Sequence, residues 1–128
     1  MKTPQGKNIV VLGASDKPER YSNKALHFLQ EAGYLPIPVN PTLDTINGVR
    51  TFHTLDDVKK NGSTIDTITV YVNSTISSQL FNAIVSLKPR RVIFNPGSEN
   101  NELQKKLSEQ KIEVVQACTL VLLRTKQF

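Results

Sequence analysis

The first apolar stretch of the chain reads Ile9-Val10-Val11-Leu12-Gly13-Ala14-Ser15. Four consecutive apolar residues that end at a glycine are typical of a strand buried on both faces, as in a parallel sheet. A helix is predicted to follow, with Ser22 as its cap and Gly33 at its end. Its apolar residues recur at the spacing of a single helical stripe, and they are Ala25, Phe28, Leu29 and Ala32.

Short apolar strands and helical segments continue to alternate along the chain. Further strands are predicted at 35–39, 65–72, 92–94 and 112–115, and helices at 54–60, 76–87 and 100–110. Residues 118–123 are apolar enough to pack, but their pattern leaves the type of element open. Pro36 and Pro38 cannot donate to a sheet, so the second strand is expected to be short or near an edge.

Five strands that alternate with helices pair in parallel through right-handed crossovers. The predicted fold is α/β, a doubly wound Rossmann-like three-layer sandwich. Its five-stranded parallel sheet is expected to have the order 3-2-1-4-5, with the topological switch between strands 1 and 4. Residues 1–128 are expected to form one domain, because the length fits a single domain of ordinary size.

Composition excludes several classes of protein. The chain is 38% hydrophobic and 21% charged, which is typical of a globular protein. Its charge of +5 is spread along the chain without a basic stripe, so no nucleic-acid partner is predicted. The polar stretch Met1–Gly6 and the short first apolar run predict neither a targeting signal nor a membrane span. The single cysteine can form no intrachain disulfide, and a cytoplasmic location is expected.

A ligand site is expected where the parallel strands end, because doubly wound sheets bind ligands beyond the carboxyl ends of their strands. These ends are rich in Gly, Ser, Thr and Asn, and they are Gly13-Ala14-Ser15, Asn40-Pro41, Asn73-Ser74-Thr75 and Asn95-Pro96-Gly97-Ser98. Lys17 and Arg20 follow the first of them and can add charge-assisted contacts to phosphate. The residues therefore favour a phosphorylated ligand.

Two departures argue against a nicotinamide dinucleotide. The G-x-G-x-x-G fingerprint is absent, since its three glycine positions hold Gly13, Ser15 and Pro18. The acidic residue that binds the ribose at the end of the second strand is replaced by Asn40. The phosphate loop of NTPases is also absent, which weakens an NTPase assignment.

Several blocks of the sequence together resemble one family. They are Val11-Leu12-Gly13-Ala14-Ser15, Arg20-Tyr21-Ser22, Gly33-Tyr34 and Ile37-Pro38-Val39-Asn40-Pro41, with Gly48 and Asp66 at matching intervals. Over residues 8–118 the chain resembles the CoA-binding domain family. These are small stand-alone Rossmann-like proteins, similar to the N-terminal domain of the succinyl-CoA synthetase alpha subunit. The resemblance implies that coenzyme A is bound as a ligand.

The resemblance also implies a role for each strand end. Gly13, Ala14 and Ser15 would cradle the pyrophosphate, flanked by Arg20, Tyr21 and Ser22. Asn40 and Pro41 would lie near the adenosine. Asn73, Ser74 and Thr75 would line the nucleotide cleft, and Pro96 and Gly97 the path of the pantetheine.

The chain departs from the family at three places. The loop after the third predicted strand reads Val72-Asn73-Ser74, where many members carry arginines that contact phosphate. Asn95-Pro96-Gly97 stands where the family often has Gln-Leu-Gly. Cys118 matches a common cysteine, but Gln116 and Ala117 replace the charged residues usually before it.

No catalytic or metal-binding residue is predicted. His27 and His53 lack a recognisable nucleophile partner, and Cys118 has no neighbouring cation in the sequence to lower the pKa of its thiol. The leading interpretation is a non-catalytic protein that binds coenzyme A or acyl-CoA, with no protein partner identified. Two alternatives stay open: an NAD(P)-binding oxidoreductase and an interaction protein that has lost its ligand.

Overall fold

The computed structural model describes residues 7–128. The polar stretch 1–6, on which the predictions of one domain and of no targeting signal partly rest, lies outside the described residues. The strands are β1 (Asn8–Leu12), β2 (Leu35–Val39), β3 (Thr45–Ile46), β4 (Val49–Arg50), β5 (Ile65–Val70), β6 (Arg91–Phe94) and β7 (Glu113–Gln116). The helices are α1 (Tyr21–Glu31), α2 (Leu55–Asn61), α3 (Ser74–Ser77), α4 (Phe81–Leu87), α5 (Asn101–Glu109) and α6 (Thr119–Arg124).

Five parallel strands form the central sheet in the order β2-β1-β5-β6-β7, and β3 and β4 form a separate antiparallel hairpin. The predicted α/β Rossmann-like fold is confirmed. A parallel bridge joins Phe52 to Val39 on the outer side of β2. When Phe52 is counted as the third strand, the order is 3-2-1-4-5-6, which contains the predicted pattern 3-2-1-4-5. The assignment of segment 65–72 to that position is corrected, because β5 pairs directly with β1 and is the fourth strand. A single bridge is too short to give a sequence periodicity.

The two prolines of β2 occupy positions that need no donor toward β1. The N–H of Phe52 donates to the carbonyl of Pro38, and the N–H of Asn40 donates back to the carbonyl of Phe52. Backbone groups alternate in direction along a strand, so the even-numbered residues of β2 face the outer edge. Pro36 and Pro38 therefore leave the pairing with β1 intact.

The sheet is covered on both faces, which makes three layers. Val10 and Leu12 join one apolar core with Val58 of α2 and Ile84 of α4. Ile9 and Val11 face the other side, where they pack with Leu26 and Leu29 of α1 and with Ile46 of the hairpin. All four apolar residues of β1 are at least 96% buried, as the first apolar stretch predicts.

Helix α1 differs from its sequence prediction in its start and in its buried face. Arg20 occupies the N-cap position, and Ser22 lies inside the helix and is buried. The core face includes Leu26, whereas Phe28 of the predicted stripe is 42% exposed. Gly33, at φ +91°, follows the helix as predicted.

Two other elements depart from the sequence pattern. The helix predicted over 76–87 is divided into α3 and α4, with Leu80 in a non-helical conformation between them. Residues 118–123, left open by the sequence, supply most of α6. The longest helix of the described chain has 11 residues, and none is long and apolar enough to span a membrane.

Candidate functional site

A cleft of about 360 Å³ opens beyond the carboxyl end of β1. Its lining residues come from the β1–α1 segment and from the end of β5, and they are Gly13, Ser15, Glu19, Arg20, Tyr21, Ser22 and Tyr71. Five of these are site residues predicted from the sequence: Gly13, Ser15, Arg20, Tyr21 and Ser22. The structure therefore brings the β1 loop and the start of α1 into one concave site, as expected at the switch point of a doubly wound sheet.

The turn after β1 is fixed by its own backbone hydrogen bonds. The N–H groups of Gly13 and Ala14 both donate to the carbonyl of Val39, at 3.1 and 3.0 Å. Ala14 is 2% exposed and packs in the core, and it does not line the cleft. Gly13 and Ala14 were predicted to cradle the phosphate, but their N–H groups already have an acceptor and are not free to bind it. Donors for an anion must come from Ser15 and the residues that follow it.

Helix α1 presents an uncompensated N-terminus to this cleft. The side chain of Arg20 makes no capping hydrogen bond, and the first turn contains no acidic residue. Helix α2 differs, because Thr54 caps it and Asp56 and Asp57 lie in its first turn. Since a helix N-terminus carries partial positive charge and free N–H groups, the start of α1 is suited to an anion.

One cationic side chain, Arg20, lines the cleft, and Lys17 lies in the same β1–α1 segment. Lys17 and Arg20 are exposed, and neither forms an ion pair with any residue between 7 and 128. The ring of Tyr21 is also exposed, with the Nζ of Lys24 5.7 Å from its centre. Glu19 is the one acidic side chain in the lining. The lining therefore combines the guanidinium of Arg20 with the aromatic ring of Tyr21.

Asn40 holds two loops together instead of lining the cleft. Its Nδ2 donates to the carbonyl of Ala14 at 2.9 Å, and its Oδ1 accepts from the N–H groups of Thr42 and Leu43. Pro41 is exposed on the loop that follows. The amide of Asn40 therefore fixes the β1 turn against the end of β2, and its hydrogen-bonding capacity is largely used.

The strand ends after β5 and β6 form a neighbouring polar group on the same edge of the sheet. Asn73 caps α3 through its Oδ1, whereas Ser74 and Thr75 are exposed in the first turn. Pro96 and Gly97 are exposed in a turn where the N–H of Gly97 donates to Oε1 of Glu99. None of these five residues lines the cleft at the start of α1.

Asn100, which the sequence did not single out, connects the residues of this second group by hydrogen bonds. Its Nδ2 donates to the carbonyl of Ser74 and to the hydroxyl of Ser77, and its Oδ1 accepts from the N–H of Leu103. One side chain thus caps α5 and holds α3 beside it. An Asn three residues before a leucine is a capping signal that sequence reading can detect.

Tyr71 is the second functional residue that the sequence did not indicate. It follows β5 directly, and its hydroxyl is buried without a hydrogen-bond partner among the described residues. Burial raises the pKa of Tyr71 to about 12, partly offset by the nearby hydroxyls of Thr119 and Thr69, which bond each other at 2.7 Å. The phenol therefore stays neutral at physiological pH.

A buried polar network supports the wall of the site behind Tyr71. The Nδ2 of Asn95 donates to Oγ1 of Thr69 at 2.7 Å and to the carbonyl of Val70 at 2.9 Å. The Oδ1 of Asn95 accepts from the N–H of Thr119, at the start of α6. Asn95 therefore joins β5, β6 and α6 at the carboxyl edge of the sheet.

The two histidines and the cysteine, for which no catalytic role is predicted, do not line the cleft. His27 is exposed on α1, 3.2 Å from Glu31, and His53 is 2.9 Å from Asp44 at a separate cavity of about 560 Å³. Cys118 is half-buried at the N-cap of α6. Between residues 7 and 128 there is no group of three or more His, Cys, Asp or Glu that could hold a metal ion.

Comparison with known proteins places this architecture among related chains. One solved structure, described as an uncharacterized protein, is 38% identical, covers 95% of this chain and 98% of its own, and superposes with a TM-score of 0.85. The uncharacterized protein YneT of Bacillus subtilis is 39% identical over 70 residues, which are 55% of this chain and half the length of YneT.

A more distant structure shares the fold alone. It is a dinucleotide-forming acetyl-coenzyme A synthetase of Ca. Korarchaeum cryptofilum, with 20% identity and a TM-score of 0.72 over 89% of this chain and 26% of the synthetase chain. The family described as the CoA binding domain matches residues 7–124, nearly the whole chain. This match spans every element from β1 to α6, and the chain therefore belongs to the CoA-binding domain family.

Proposed function

We propose that this protein binds coenzyme A or acyl-CoA in the cleft between the β1 loop and the start of α1, without catalysing a reaction. Membership of the family supports coenzyme A binding in general. The observation that carries the proposal is the uncapped N-terminus of α1, which opens into a concave site beside Arg20.

The pyrophosphate would lie against the first turn of α1. Free N–H groups and the helix dipole favour an anion there, and each adds a modest stabilisation. Arg20 and Lys17 would add charge-assisted hydrogen bonds from flexible side chains. The N–H groups of Gly13 and Ala14 are bonded to Val39, so these residues would act by shaping the turn.

The other predicted site residues would act mainly through the loops that they order. Asn40 anchors the β1 turn, and Pro41 would lie near the adenosine on the adjoining loop. On the second polar group, Asn73, Ser74 and Thr75 would border the nucleotide, and Pro96 and Gly97 the pantetheine arm. The family's phosphate-binding arginines are missing from the loop at Asn73, so the affinity is expected to depend more strongly on Arg20.

The absence of a catalytic role is supported by the surroundings of the cleft. Neither histidine lines it, and no nucleophile and base meet within it among the described residues. General acid–base or nucleophilic catalysis requires such groups within hydrogen-bond reach of each other. We also propose that the protein has no nucleic-acid partner, since the cations of the chain are scattered. A cytoplasmic location is proposed because the single cysteine can form no intrachain disulfide.

Isothermal titration calorimetry with coenzyme A tests the proposal. The unmodified protein should bind, and Arg20→Ala should raise the dissociation constant about 10-fold, as expected for loss of a charge-assisted contact. Lys105→Ala, which removes an exposed cation from α5, is the matched control and should bind normally. Incubation with acetyl-CoA should leave the thioester intact by chromatography.

Each alternative has a distinct outcome. Binding of NAD(P) without binding of coenzyme A would replace the proposal with the oxidoreductase interpretation. No heat with coenzyme A, acyl-CoA or NAD(P) at millimolar ligand would favour an interaction protein without a nucleotide. Consumption of acetyl-CoA by the purified protein, lost in Arg20→Ala, would contradict the non-catalytic part alone.

A further inference from the structure

Helix α6 has an unusual composition for a surface helix. It reads Thr-Leu-Val-Leu-Leu-Arg, with four consecutive apolar residues, yet Thr119 is its only fully buried residue. Val121 is 40% exposed, and Leu120, Leu122 and Leu123 are half-buried. A helix that is apolar on all sides is normally covered on all sides. Within residues 7–128, α6 is covered on one side only.

Leu120, Leu123 and Arg124 of α6 border an apolar groove along α1. The groove has a volume of about 380 Å³, and its lining residues are Phe28, Glu31, Ala32, Leu120, Leu123 and Arg124. Phe28 is 42% exposed here, on the flank of α1 that the core does not use. Its position explains why a helical stripe in the sequence includes an aromatic residue that the described fold leaves half uncovered.

Two side chains of opposite charge line the groove but form no ion pair with each other. Glu31 and Arg124 both line it, but no ion pair joins them. Arg124 forms no ion pair with a carboxylate of residues 7–128, and the one ion pair of Glu31 among these residues is with Nε2 of His27, at 3.2 Å. A surface that carries a charge of each sign beside an apolar strip is complementary to a second copy of itself when a two-fold axis brings the opposite charges together.

We propose that two copies of this chain associate through this groove in a two-fold symmetric dimer. Phe28 and Leu120 of each protomer would pack across the axis. Arg124 of one protomer would face Glu31 of the partner subunit, and two-fold symmetry forms this ion pair twice. The patch comes from two short helical faces, so the dimer is reversible and its population depends on concentration.

Sedimentation velocity of the full chain tests the dimer. The weight-average mass should rise from 14.3 kDa toward twice that value between about 5 and about 500 µM protein, the range in which weak interfaces associate. Arg124→Glu and Glu31→Arg should each raise the dissociation constant about 10-fold, since each places like charges across the axis. The double variant should restore association, because the ion pair is then re-formed with its charges exchanged.

Surface charge reversals are expected to leave the fold intact, and a thermal melt of each variant checks this. Lys105→Glu on α5 is the matched control and should dimerise normally. A monomer at every concentration overturns the proposal. A dimer that both single reversals leave unchanged overturns it as well, because the interface then lies elsewhere.

Discussion

Gly13 and Val72 lie so close that a Cβ atom on Gly13 would be 2.8 Å from Cγ1 of Val72. The same Cβ would be 3.1 Å from the backbone carbonyl carbon of Tyr71, which a rotamer change of Val72 cannot relieve. Gly13 also has φ +90°, a conformation that other residues rarely adopt. The approach of the β1 turn to the end of β5 therefore requires glycine at this position.

Gly13→Ala is expected to lower the free energy of unfolding by about 3 kcal/mol, the combined cost of a left-handed alanine and an overpacked contact. Urea denaturation measures this loss. Gly62→Ala is the matched control, since Gly62 also has a positive φ but has no atom within 4 Å of an added Cβ. It should cost only about 1 kcal/mol, from the backbone conformation alone. Equal losses at the two glycines would contradict the close approach at Gly13.

Asn95→Ala is expected to destabilise the fold by about 3 kcal/mol, because it leaves the buried N–H of Thr119 without this acceptor and removes the side-chain hydrogen bonds to Thr69 and to the carbonyl of Val70. Asn73→Ala removes an exposed cap of α3 and should cost about 1 kcal/mol. Urea denaturation compares the two variants. A smaller loss at Asn95 than at Asn73 would show that the buried network contributes little to stability.

The carboxylate of Asp66 is expected to contribute stability that depends on pH. Burial raises its pKa, but hydrogen bonds from Arg90 and Thr67 and the charges of Arg90 and Lys7 outweigh burial, so the pKa lies below 3.8. The folded state therefore binds fewer protons than the unfolded chain at low pH. This contribution is complete above pH 3.8 and is lost as the pH falls through the lowered pKa of the folded protein.

Asp66→Asn should thus lower the stability at pH 7 by less than about 1 kcal/mol, since Arg90 is largely exposed and solvent screens the pair. The difference from the unmodified protein should shrink in urea titrations as the pH is lowered below 3.8. Glu113→Gln, which alters the other and more exposed partner of Arg90, should show little effect at either pH. A stability difference between Asp66→Asn and the unmodified protein that grows in acid would contradict a lowered pKa for Asp66.

Tyr71 is expected to ionise near pH 12 in an ultraviolet titration, because burial disfavours its phenolate. The folded protein holds the phenol proton more tightly than the unfolded chain does. Ionisation of Tyr71 therefore costs no stability below pH 10, and the free energy of unfolding falls as the pH rises through about 12. Tyr71→Phe should remove the component near pH 12.

Tyr71→Phe should also leave the stability at pH 7 unchanged or slightly higher, because it removes a buried hydroxyl that has no partner among residues 7–128. A loss greater than about 1 kcal/mol would instead indicate a hydrogen bond to this hydroxyl. Tyr34→Phe provides a comparison, because burial also raises the pKa of Tyr34.

The sequence predicts the central sheet well because its inner strands β1, β5 and β6 are buried on both faces. The apolar stretch at Ile9 and the β-branched residues around Ile68 exclude most alternatives to a parallel sheet. The prediction of α1 was less accurate at its buried face. A helical stripe through Phe28 and one through Leu26 fit the pattern almost equally. The packing of Leu26 against Ile9 and Val11 of β1, which periodicity does not encode, decides between them.

The candidate site could be located from the sequence but not described in detail. Strand ends converge by topology, so Ser15 and Arg20 could be assigned to one cleft. Hydrogen-bond partners depend on tertiary distances that periodicity does not encode. Sequence alone therefore could not show that the N–H groups of Gly13 and Ala14 donate to the carbonyl of Val39. Nor could it show that Asn40 joins two loops by hydrogen bonds.

The prolines of β2 also have a consequence for solubility. An exposed strand edge is a template on which other chains can add strands and aggregate. Pro36 and Pro38 remove N–H donors from the outer edge of β2, and the single bridge from Phe52 occupies the carbonyl of Pro38. An incoming strand would find no regular row of donors there. Pro36 and Pro38, which are unfavourable in most strands, thus protect this edge of the sheet from pairing with a strand of another molecule.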